Sequence, residues 1–394
     1  MNYKVSWLVL WPVYYHVPIY REINRLENIE LEVLYCDDTG IKPYFEKEMG
    51  VMRDHNEFDL LSEYNFKILK NWVKHNNDKG FFTLFNPSIV SEIINKKPDA
   101  IMIQGYDSLT HILAMLTAKV MGVKVICRGE AVLRGNEERK SIRNFIKTKF
   151  LRIWVSLCDA IMYSCKGNKQ YWTFYGAREK ELFEIPCAVD NDYYSAEYEK
   201  YLPRKLHIKQ DLGIDKDDFV VIFSARFTNR KRPFDLLKSV GEIDSSKITI
   251  LFVGDGDERA KMEEYAEENN IKAVFVGFKN QEEITKYYSI ADLYVVISDY
   301  DPSPKAMNEA MNFSLPIIVT ENVGTSKDLV VDNYNGFIVH VGDISSIAEK
   351  IDLLNKDRKL SLIMGERSKK MVKEWNFKKN AINFNNTINY VMEK

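Results

Sequence analysis

No hydrophobic run in the sequence is long enough to span a membrane. The 394 residues contain no segment that approaches the roughly 18 uncharged apolar residues of a spanning helix. The start, "MNYKVSWLVLWPVYYHVP", has only a short apolar stretch, and Pro12, His16 and Pro18 interrupt the residues after it. It predicts a first strand and its loop rather than a signal peptide. We therefore expect a cytoplasmic protein.

Cysteine and net charge are also low. Five cysteines are scattered along the chain without a C-x-x-C pair, so we expect a reducing compartment with neither structural disulfides nor a zinc site. The formal net charge is only −2. Nothing in this charge balance indicates a nucleic-acid partner, and we expect none.

Strand-like apolar runs alternate with helical patterns along the whole chain. Several runs are apolar throughout, which is typical of parallel strands covered on both faces. This β-α-β rhythm occurs twice and predicts two doubly wound α/β domains. The strand candidates are "KVSWLVL", "LEVLYC", "AIMIQG", "VKVICR", "AIMYS", "FVVIFSAR", "ITILFVG", "AVFVG", "DLYVVIS", "PIIVT" and "GFIVH".

The division between the two halves is predicted near 190–215, where a polar stretch leads into a new strand at Phe219. We place the first domain at 1–205 and the second at 206–375. The helical tail at 376–394 is expected to return to the first domain.

A dense group of cations follows the first strand of the second half. In open α/β sheets, ligands bind beyond the carboxyl ends of the strands. Arg226 and Lys231 lie in such a turn, before a helix that Pro233 can open. With Arg230 and Arg232 they repel one another at the positive end of a helix dipole, and a phosphate or diphosphate would relieve that repulsion. A solvated basic loop is the alternative.

The stretch "SDYDPSPKAMNEAM", residues 298–311, places a second cation at a helix start. Ser303 is predicted to cap this helix and Pro304 to open it. Lys305 then falls in the first turn, where the helix dipole disfavours a cation. A bound anion would satisfy Lys305 and the free amides of 305–307 together. The alternative is that Lys305 extends into water.

Glu309 is predicted to lie at the margin of the buried stripe of the same helix. From there its carboxylate can accept two hydrogen bonds from vicinal hydroxyls of a ribose, although a solvated glutamate is the alternative. The stripe is predicted to comprise Ala306, Met307, Ala310 and Met311. Together these loops predict a site that holds a diphosphate between two helix starts, with a carboxylate near sugar hydroxyls. A nucleotide sugar contains both the diphosphate and the sugar hydroxyls.

The second half resembles the nucleotide-binding domain of family 4 glycosyltransferases, which have the GT-B fold. The resemblance rests on "LFEIPCAVDNDYY", "FSARFTNRKRPFDLLKSV", "ILFVGDGDERAKMEEYAEENNIKAVFVGF" and "YYSIADLYVVISDYDPSPKAMNEAMNFSLPIIVTENVGTSKDLVVDNYNGFIVH". It covers roughly 160 to 375, and residues 1–158 fit in topology. It implies an α/β protein with two Rossmann-like doubly wound domains facing across a cleft.

The resemblance also implies roles for individual residues. Arg226 and Lys231 match the pair that binds the donor diphosphate and stabilises the leaving group, so neither a metal nor another cofactor is implied. Asp301 and Glu309 match the two acids of the family, although the first is usually glutamate. Glu309 would hold the ribose. The resemblance also places Ser303, Lys305, Ala306 and Met307 near the phosphates and the donor sugar. It places Phe278 beside the base, and Gly324 in a later loop of the donor site.

Polar residues of the first half also follow predicted strands. They occur in the loops "WPVYYHVP", "QGYDS" and "CRGEAVLRG", and each could equally be a structural loop residue. Glu130 is our candidate for a catalytic acid beside the reacting carbon. The candidates for acceptor or sugar contacts are His16, Tyr106, Asp107 and Arg128.

The stretch "ERKSIRNFIKTKFLRIWVSL" is amphipathic. Its predicted apolar stripe comprises Ile142, Phe145, Ile146, Ile153 and Trp154. Its cations lie elsewhere on the helix: Arg139, Lys140, Arg143, Lys147 and Arg152. We favour a helix packed on the sheet with a solvated basic face. A peripheral contact with anionic lipid is the alternative.

The sequence therefore predicts an enzyme that moves a sugar from a nucleotide-diphosphate sugar, such as a UDP- or GDP-sugar, to a saccharide or lipid-linked saccharide. We expect it to act in surface polysaccharide or glycoconjugate synthesis, and the resemblance implies retention of anomeric configuration. One alternative is a nucleotide-sugar epimerase, which would convert its substrate without an acceptor. Another is a non-catalytic nucleotide-sugar-binding protein, which would never release nucleoside diphosphate.

Overall fold

Two parallel β-sheets organise the chain. A computed structural model describes residues 2–41, 43–46, 51–53, 59–73, 80–135, 137 and 141–394. The chain divides into two units. The first comprises Met1–Pro186 with Phe377–Lys394, and the second comprises Cys187–Asn376. Two doubly wound α/β domains, as the sequence predicts, are confirmed.

The first unit contains a seven-stranded parallel sheet with the order β5-β2-β1-β6-β7-β8-β9, and β3 and β4 form a separate antiparallel pair. Its strands are β1 (Tyr3–Val9), β2 (Ile29–Tyr35), β3 (Tyr44–Glu46), β4 (Val51–Arg53), β5 (Asn65–Ile68), β6 (Ala100–Gln104), β7 (Lys124–Gly129), β8 (Ala160–Tyr163) and β9 (Leu182–Glu184). Its first five helices are α1 (Val17–Asn24), α2 (Ser88–Lys96), α3 (Leu109–Val120), α4 (Ile142–Leu157) and α5 (Lys166–Phe174).

Both faces of this sheet are buried, which explains its continuous apolar strands. In β6, Ile101 and Ile103 join one core, whereas Ala100 and Met102 join the core on the opposite face. Successive side chains of a strand point to opposite faces, so a strand covered on both sides must be apolar at every position. By contrast, β5 is exposed along its whole length, and only two of its four residues, Phe66 and Ile68, are apolar.

The second unit contains a six-stranded parallel sheet with the order β12-β11-β10-β13-β14-β15. Its strands are β10 (Phe219–Ser224), β11 (Ile248–Val253), β12 (Ala273–Phe275), β13 (Leu293–Val296), β14 (Ile317–Thr320) and β15 (Gly336–Val339). Its helices are α6 (Asn191–Tyr201), α7 (Lys205–Asp211), α8 (Pro233–Gly241), α9 (Arg259–Glu268), α10 (Gln281–Ile290), α11 (Lys305–Asn312), α12 (Ser326–Leu329), α13 (Ile344–Lys356) and α14 (Arg358–Val372).

The unit boundary lies between 186 and 187, and the predicted boundary between 205 and 206 is wrong. Helix α6 packs on α10 and α11 of the second unit. Buried amides reinforce this packing. Asn308 Nδ2 donates to the carbonyl of Cys187 over 3.0 Å, and Asn312 Nδ2 donates to Asn191 Oδ1 over 2.9 Å. Residues 187–205 therefore belong to the second unit.

The last helix, α15 (Phe377–Glu393), belongs to the first unit and packs on α1. Its Phe384 stacks on Trp7 of β1 with ring centroids 5.4 Å apart. Asn380 Nδ2 also donates to the carbonyl of Pro186 over 2.8 Å. Within the residues described above, no helix has the length and hydropathy needed to cross a membrane.

Candidate functional site

The central crevice of the second sheet lies between β10 and β13. Strand β10 pairs with β11 on one side and β13 on the other, so the chain leaves these neighbouring strands in opposite directions. Ligands bind at such switch points, beyond the carboxyl ends of the strands. The structure places two predicted residues there, since Lys231 of the loop after β10 forms an ion pair with Asp301 of the loop after β13.

Three further contacts hold these two loops together. Arg230 Nη1 donates to the carbonyl of Tyr300 over 2.7 Å, and the amide of Asp299 donates to the carbonyl of Arg230 over 2.9 Å. Arg232 Nη1 contacts Asp299 Oδ1 at 2.9 Å, and Arg232 also pairs with Asp235. Carboxylates of the protein thus balance the charges of Lys231 and Arg232 in the structure, and anion binding by this loop stays a prediction.

Arg226 lies two residues after β10 and is half-buried. The turn that carries it packs closely against the loop after β11. Phe227 donates its amide hydrogen to the carbonyl of Asp255 over 2.9 Å. Gly254 has φ +142°, and a Cβ there would lie only 2.0 Å from the carbonyl oxygen of Ala225. Only glycine permits this approach, which fixes the backbone on both sides of Arg226.

The start of α11 differs from the prediction. The helix begins at Lys305, and Pro304 is its N-cap with an extended backbone. Ser303 therefore does not cap the helix. Its hydroxyl is buried and has no hydrogen-bond partner within the described part of the chain. Lys305, which is half-buried, occupies the first helical position. No side chain caps α11, so the positive end of this helix suits an anion. Within its first turn, the amide of Met307 donates to the carbonyl of Pro304 over 3.1 Å.

Glu309 is buried in α11, with only 8% of its surface exposed, so the alternative of a solvated glutamate is wrong. Tyr288 donates its hydroxyl hydrogen to Glu309 Oε2 over 3.1 Å. Burial raises the pKa of Glu309, whereas hydrogen bonds from Tyr194 and Tyr288 and the charge of Lys305 oppose the rise. Met307, Ala310 and Met311 are buried as predicted, but Ala306 is half-exposed.

The other two donor-side candidates lie on either side of this crevice. The amide of Gly324 donates to the carbonyl of Asp301 over 2.8 Å, and Val323 forms an isolated β-bridge with Asp301. Gly324 is thus adjacent to the Lys231–Asp301 pair. Phe278 is half-buried and follows β12, which is two strands away from β10.

A second polar cluster lies at the corresponding switch point of the first sheet, between β1 and β6. His16 Nε2 lies 4.0 Å from Glu130 Oε1, and Arg128 Nη1 contacts the same oxygen at 3.1 Å. Gln104 Nε2 lies 3.4 Å from His16 Nε2 and Gln104 Oε1 accepts from Trp7 Nε1 over 3.2 Å. The fold thus brings together three predicted residues: His16 from the loop after β1, Glu130 from the loop after β7, and the buried Arg128 of β7 itself.

Tyr106 and Asp107 lie in different surroundings from one another. The Tyr106 hydroxyl lies 2.6 Å from that of Tyr171, and its ring packs edge-on against Trp172. Burial raises the pKa of Tyr106 to about 12. Asp107 is exposed, and its Oδ1 lies 3.5 Å from Nδ1 of the buried His111. Tyr106 thus contributes to the aromatic packing of the first unit.

Sequence reasoning missed three polar residues that position these sites: Gln104, Tyr288 and Asp299. Gln104 ends an apolar strand, and a polar residue at that place is a usable signal. Asp299 lies in the same stretch as Asp301, two residues before it, but was not singled out. Tyr288 belongs to α10 and had no local signal, because its role depends on a contact with another helix. Among the described residues, no group of three or more His, Cys, Asp or Glu side chains could hold a metal ion.

The chain is similar to known glycosyltransferases. The family model described as glycosyl transferases group 1 matches residues 205–371. The chain is 22% identical to UDP-Gal:alpha-D-GlcNAc-diphosphoundecaprenol alpha-1,3-galactosyltransferase of Escherichia coli, over 92% of each protein. It is 26% identical to the capsular polysaccharide biosynthesis glycosyltransferase CapM of Staphylococcus aureus, over 94% of this chain and 92% of CapM. Six further curated relatives match over 40 to 60% of their own length.

The fold is shared with a solved structure. Anabaena HepE, in complex with UDP and glucose, superposes with a TM-score of 0.69 at 15% identity. The match covers 98% of this chain and 100% of HepE. Neither these relatives nor the geometry of the two sites favours an epimerase or a non-catalytic binding protein.

Proposed function

Because this chain is a glycosyltransferase of group 1 with the GT-B fold, we propose that it transfers a sugar from a nucleoside-diphosphate sugar to a saccharide or lipid-linked saccharide. We further propose retention of anomeric configuration and a role in surface polysaccharide or glycoconjugate synthesis. A UDP-galactose donor and a diphosphoundecaprenol acceptor appear in the name of the E. coli relative. That acceptor class supports a reaction at the cytoplasmic face of a membrane.

The observation that carries this proposal is the pairing of Lys231 with Asp301 at the switch point of the second sheet. A diphosphate would compete with Asp301 for Lys231, and the positive end of the α11 dipole would face its oxygens. Arg226 and Lys231 would then stabilise the negative charge that develops on the leaving nucleoside diphosphate. In this proposal the two cations do the work of a metal ion, and no further cofactor takes part.

The neighbouring carboxylate of Glu309 suits the ribose. One of its oxygens accepts from Tyr288, and an ionised carboxylate retains further acceptor sites for vicinal hydroxyls. Because Glu309 is buried, bonds to it would be formed in a region of low dielectric, where they are strong. Ser303 would donate its buried hydroxyl to a phosphate or sugar oxygen. Phe278 would lie beside the base.

On the acceptor side, we assign His16 and Glu130 to contacts with the incoming saccharide or the reacting sugar. Arg128 holds Glu130 by a contact of 3.1 Å, so the carboxylate is positioned before any substrate binds. Asp107, exposed at the end of the loop after β6, is a further candidate contact for the acceptor.

A product assay tests the proposed function. The enzyme is incubated with a panel of UDP- and GDP-sugars, with and without undecaprenyl-diphosphate-linked saccharides, and the lipid fraction is analysed by mass spectrometry. We expect one donor to lengthen the acceptor by one sugar, and NMR of the product should show the anomeric configuration of the donor. Conversion of the donor to an isomer without an acceptor would indicate an epimerase. Binding without any product would indicate a non-catalytic protein.

A further inference from the structure

Helix α4 of the first unit presents large apolar side chains to solvent. It contacts the unit through Leu151, Trp154 and Val155, which are buried. At 100° per residue, the opposite face carries four apolar side chains. Their exposed fractions are 76% for Ile142, 59% for Phe145, 60% for Ile146 and 61% for Ile153. We call these four residues the α4 surface.

This arrangement corrects two expectations from the sequence. Trp154 is not part of the exposed stripe, because only 2% of its surface is accessible. The helix does pack on the sheet, but with a different face from the predicted one. Apart from Trp154, the predicted stripe is exposed to solvent. Folded domains rarely expose several large apolar side chains next to one another unless the patch has a function.

The charged side chains of α4 itself all have one sign. Arg143, Lys147, Lys149 and Arg152 are all exposed, and the helix contains no acidic residue. Burial lowers the pKa of Lys147, and the negative charge of Glu137, just before the helix, opposes this shift. Arg139 and Lys140, which the sequence places next to this helix, lie outside the described residues.

The helix is already formed in the free protein. The Ser141 hydroxyl accepts a hydrogen bond from the amide of Asn144 over 3.1 Å and caps the first turn. The buried face anchors the rest of the helix to the unit. A partner therefore meets a preorganised surface, without the entropic cost of folding a helix upon binding.

We propose that the α4 surface docks on the interface of an anionic phospholipid bilayer. Its apolar side chains enter the boundary between headgroups and acyl chains, and the flanking cations contact lipid phosphates. With four cations in 16 residues, α4 lies in the plane of the interface. A second copy of the chain fits less well, because joining two α4 surfaces would bring cations of like sign together. These observations on α4 do not depend on the donor site.

Vesicle sedimentation without donor or acceptor tests this inference separately from catalysis. We expect the full chain to bind vesicles of phosphatidylglycerol and phosphatidylcholine at least about tenfold more tightly than vesicles of phosphatidylcholine alone. Binding should weaken as salt is added. Replacing Arg143 and Lys149 by glutamine should reduce the affinity about fivefold for each cation removed.

Exposed apolar residues provide matched variants. Phe145→Ser combined with Ile146→Ser should reduce vesicle affinity at least about tenfold. Leu362→Ser combined with Ile363→Ser, on α14 of the second unit, is the control, since these residues are 70% and 40% exposed. If the first pair lowers the melting temperature, Ile142→Ser with Ile153→Ser replaces it.

Three results would overturn the inference. The first is a wild type that does not bind the anionic vesicles. The second is equal binding by the α4 variants and the α14 control. The third is a wild-type dimer that the α4 variants convert to monomer while vesicle binding is unchanged, which would make a second copy the occupant of the surface.

Discussion

The hydroxyl of Tyr288 donates to Oε2 of Glu309 over 3.1 Å. Glu309 is buried at this contact, with only 8% of its surface exposed. A carboxylate in this position is costly to ionise in the free protein, because burial raises its pKa. The proposed ribose hydroxyls would offset that cost by donating hydrogen bonds to it. Glu309 is therefore expected to affect stability and donor binding in opposite directions.

The pH dependence of stability tests the burial of Glu309. A carboxyl with a raised folded-state pKa contributes stability that is present below its unfolded value of about 4.5 and is lost as pH rises through the folded value. Relative to Glu309→Gln, the wild type should lose stability as pH rises above about 4.5, by at most about 1.4 kcal/mol per pH unit. Thermal unfolding of both proteins from pH 4 to pH 8 measures this, and a constant difference would mean that Glu309 is solvated.

The two cations after β10 are predicted to act on turnover. Arg226→Ala and Lys231→Ala should each lower kcat by about two orders of magnitude or more, the scale of losing one donor that stabilises developing charge. Lys238→Ala, an exposed lysine of α8, is the control and should leave kcat unchanged. If both loop variants retain wild-type turnover, the leaving group is not held at this switch point.

Asp301 is predicted to position Lys231. Asp301→Asn removes the charge but keeps the shape, so the mostly buried Lys231 loses its partner. We expect a loss of about 1 to 3 kcal/mol in stability, a lower kcat, and nucleoside-diphosphate binding that is not weakened, because the competing carboxylate is gone. Asp301→Glu restores the charge and should recover much of the stability. An unchanged melting temperature in Asp301→Asn would show that the ion pair contributes nothing.

Glu130 is predicted to act beside the reacting carbon. Glu130→Gln preserves a hydrogen-bond acceptor for the buried Arg128 and should therefore fold, while kcat falls by about 10²- to 10⁴-fold. Glu30→Gln, an exposed glutamate in β2, serves as the control. A wild-type kcat with a raised KM for the acceptor alone would instead make Glu130 a binding residue.

The strands were the most predictable part of the fold. All eleven predicted strands are present because burial on both faces imposes continuous apolar runs. Strand β5 escaped prediction because all four of its residues are exposed. The boundary at 186/187 also escaped, since the polar sequence of α6 does not reveal that the helix packs on α10 and α11.

The sequence selects the residues of the candidate site but not the contacts between them. Strand-end position and helix starts selected Lys231, Asp301 and Glu309. Lys231 and Asp301 are 70 residues apart, and no local pattern reveals that one carboxylate neutralises the other. The helix start at 305 was also misjudged. Ser303 and Pro304 have the usual preferences for cap and first residue, but Pro304 itself occupies the N-cap.

The central claim, that the second unit binds a nucleoside diphosphate at the Lys231 loop, is tested most directly by calorimetric titration. UDP, UMP, GDP and GMP are titrated into the wild type and into Lys231→Ala. We predict that one diphosphate binds the wild type at least about tenfold more tightly than its monophosphate, because charge-assisted bonds to the second phosphate are lost in the latter. This preference should disappear in Lys231→Ala. Equal affinities for diphosphate and monophosphate in the wild type, or an undiminished preference in the variant, would contradict the account.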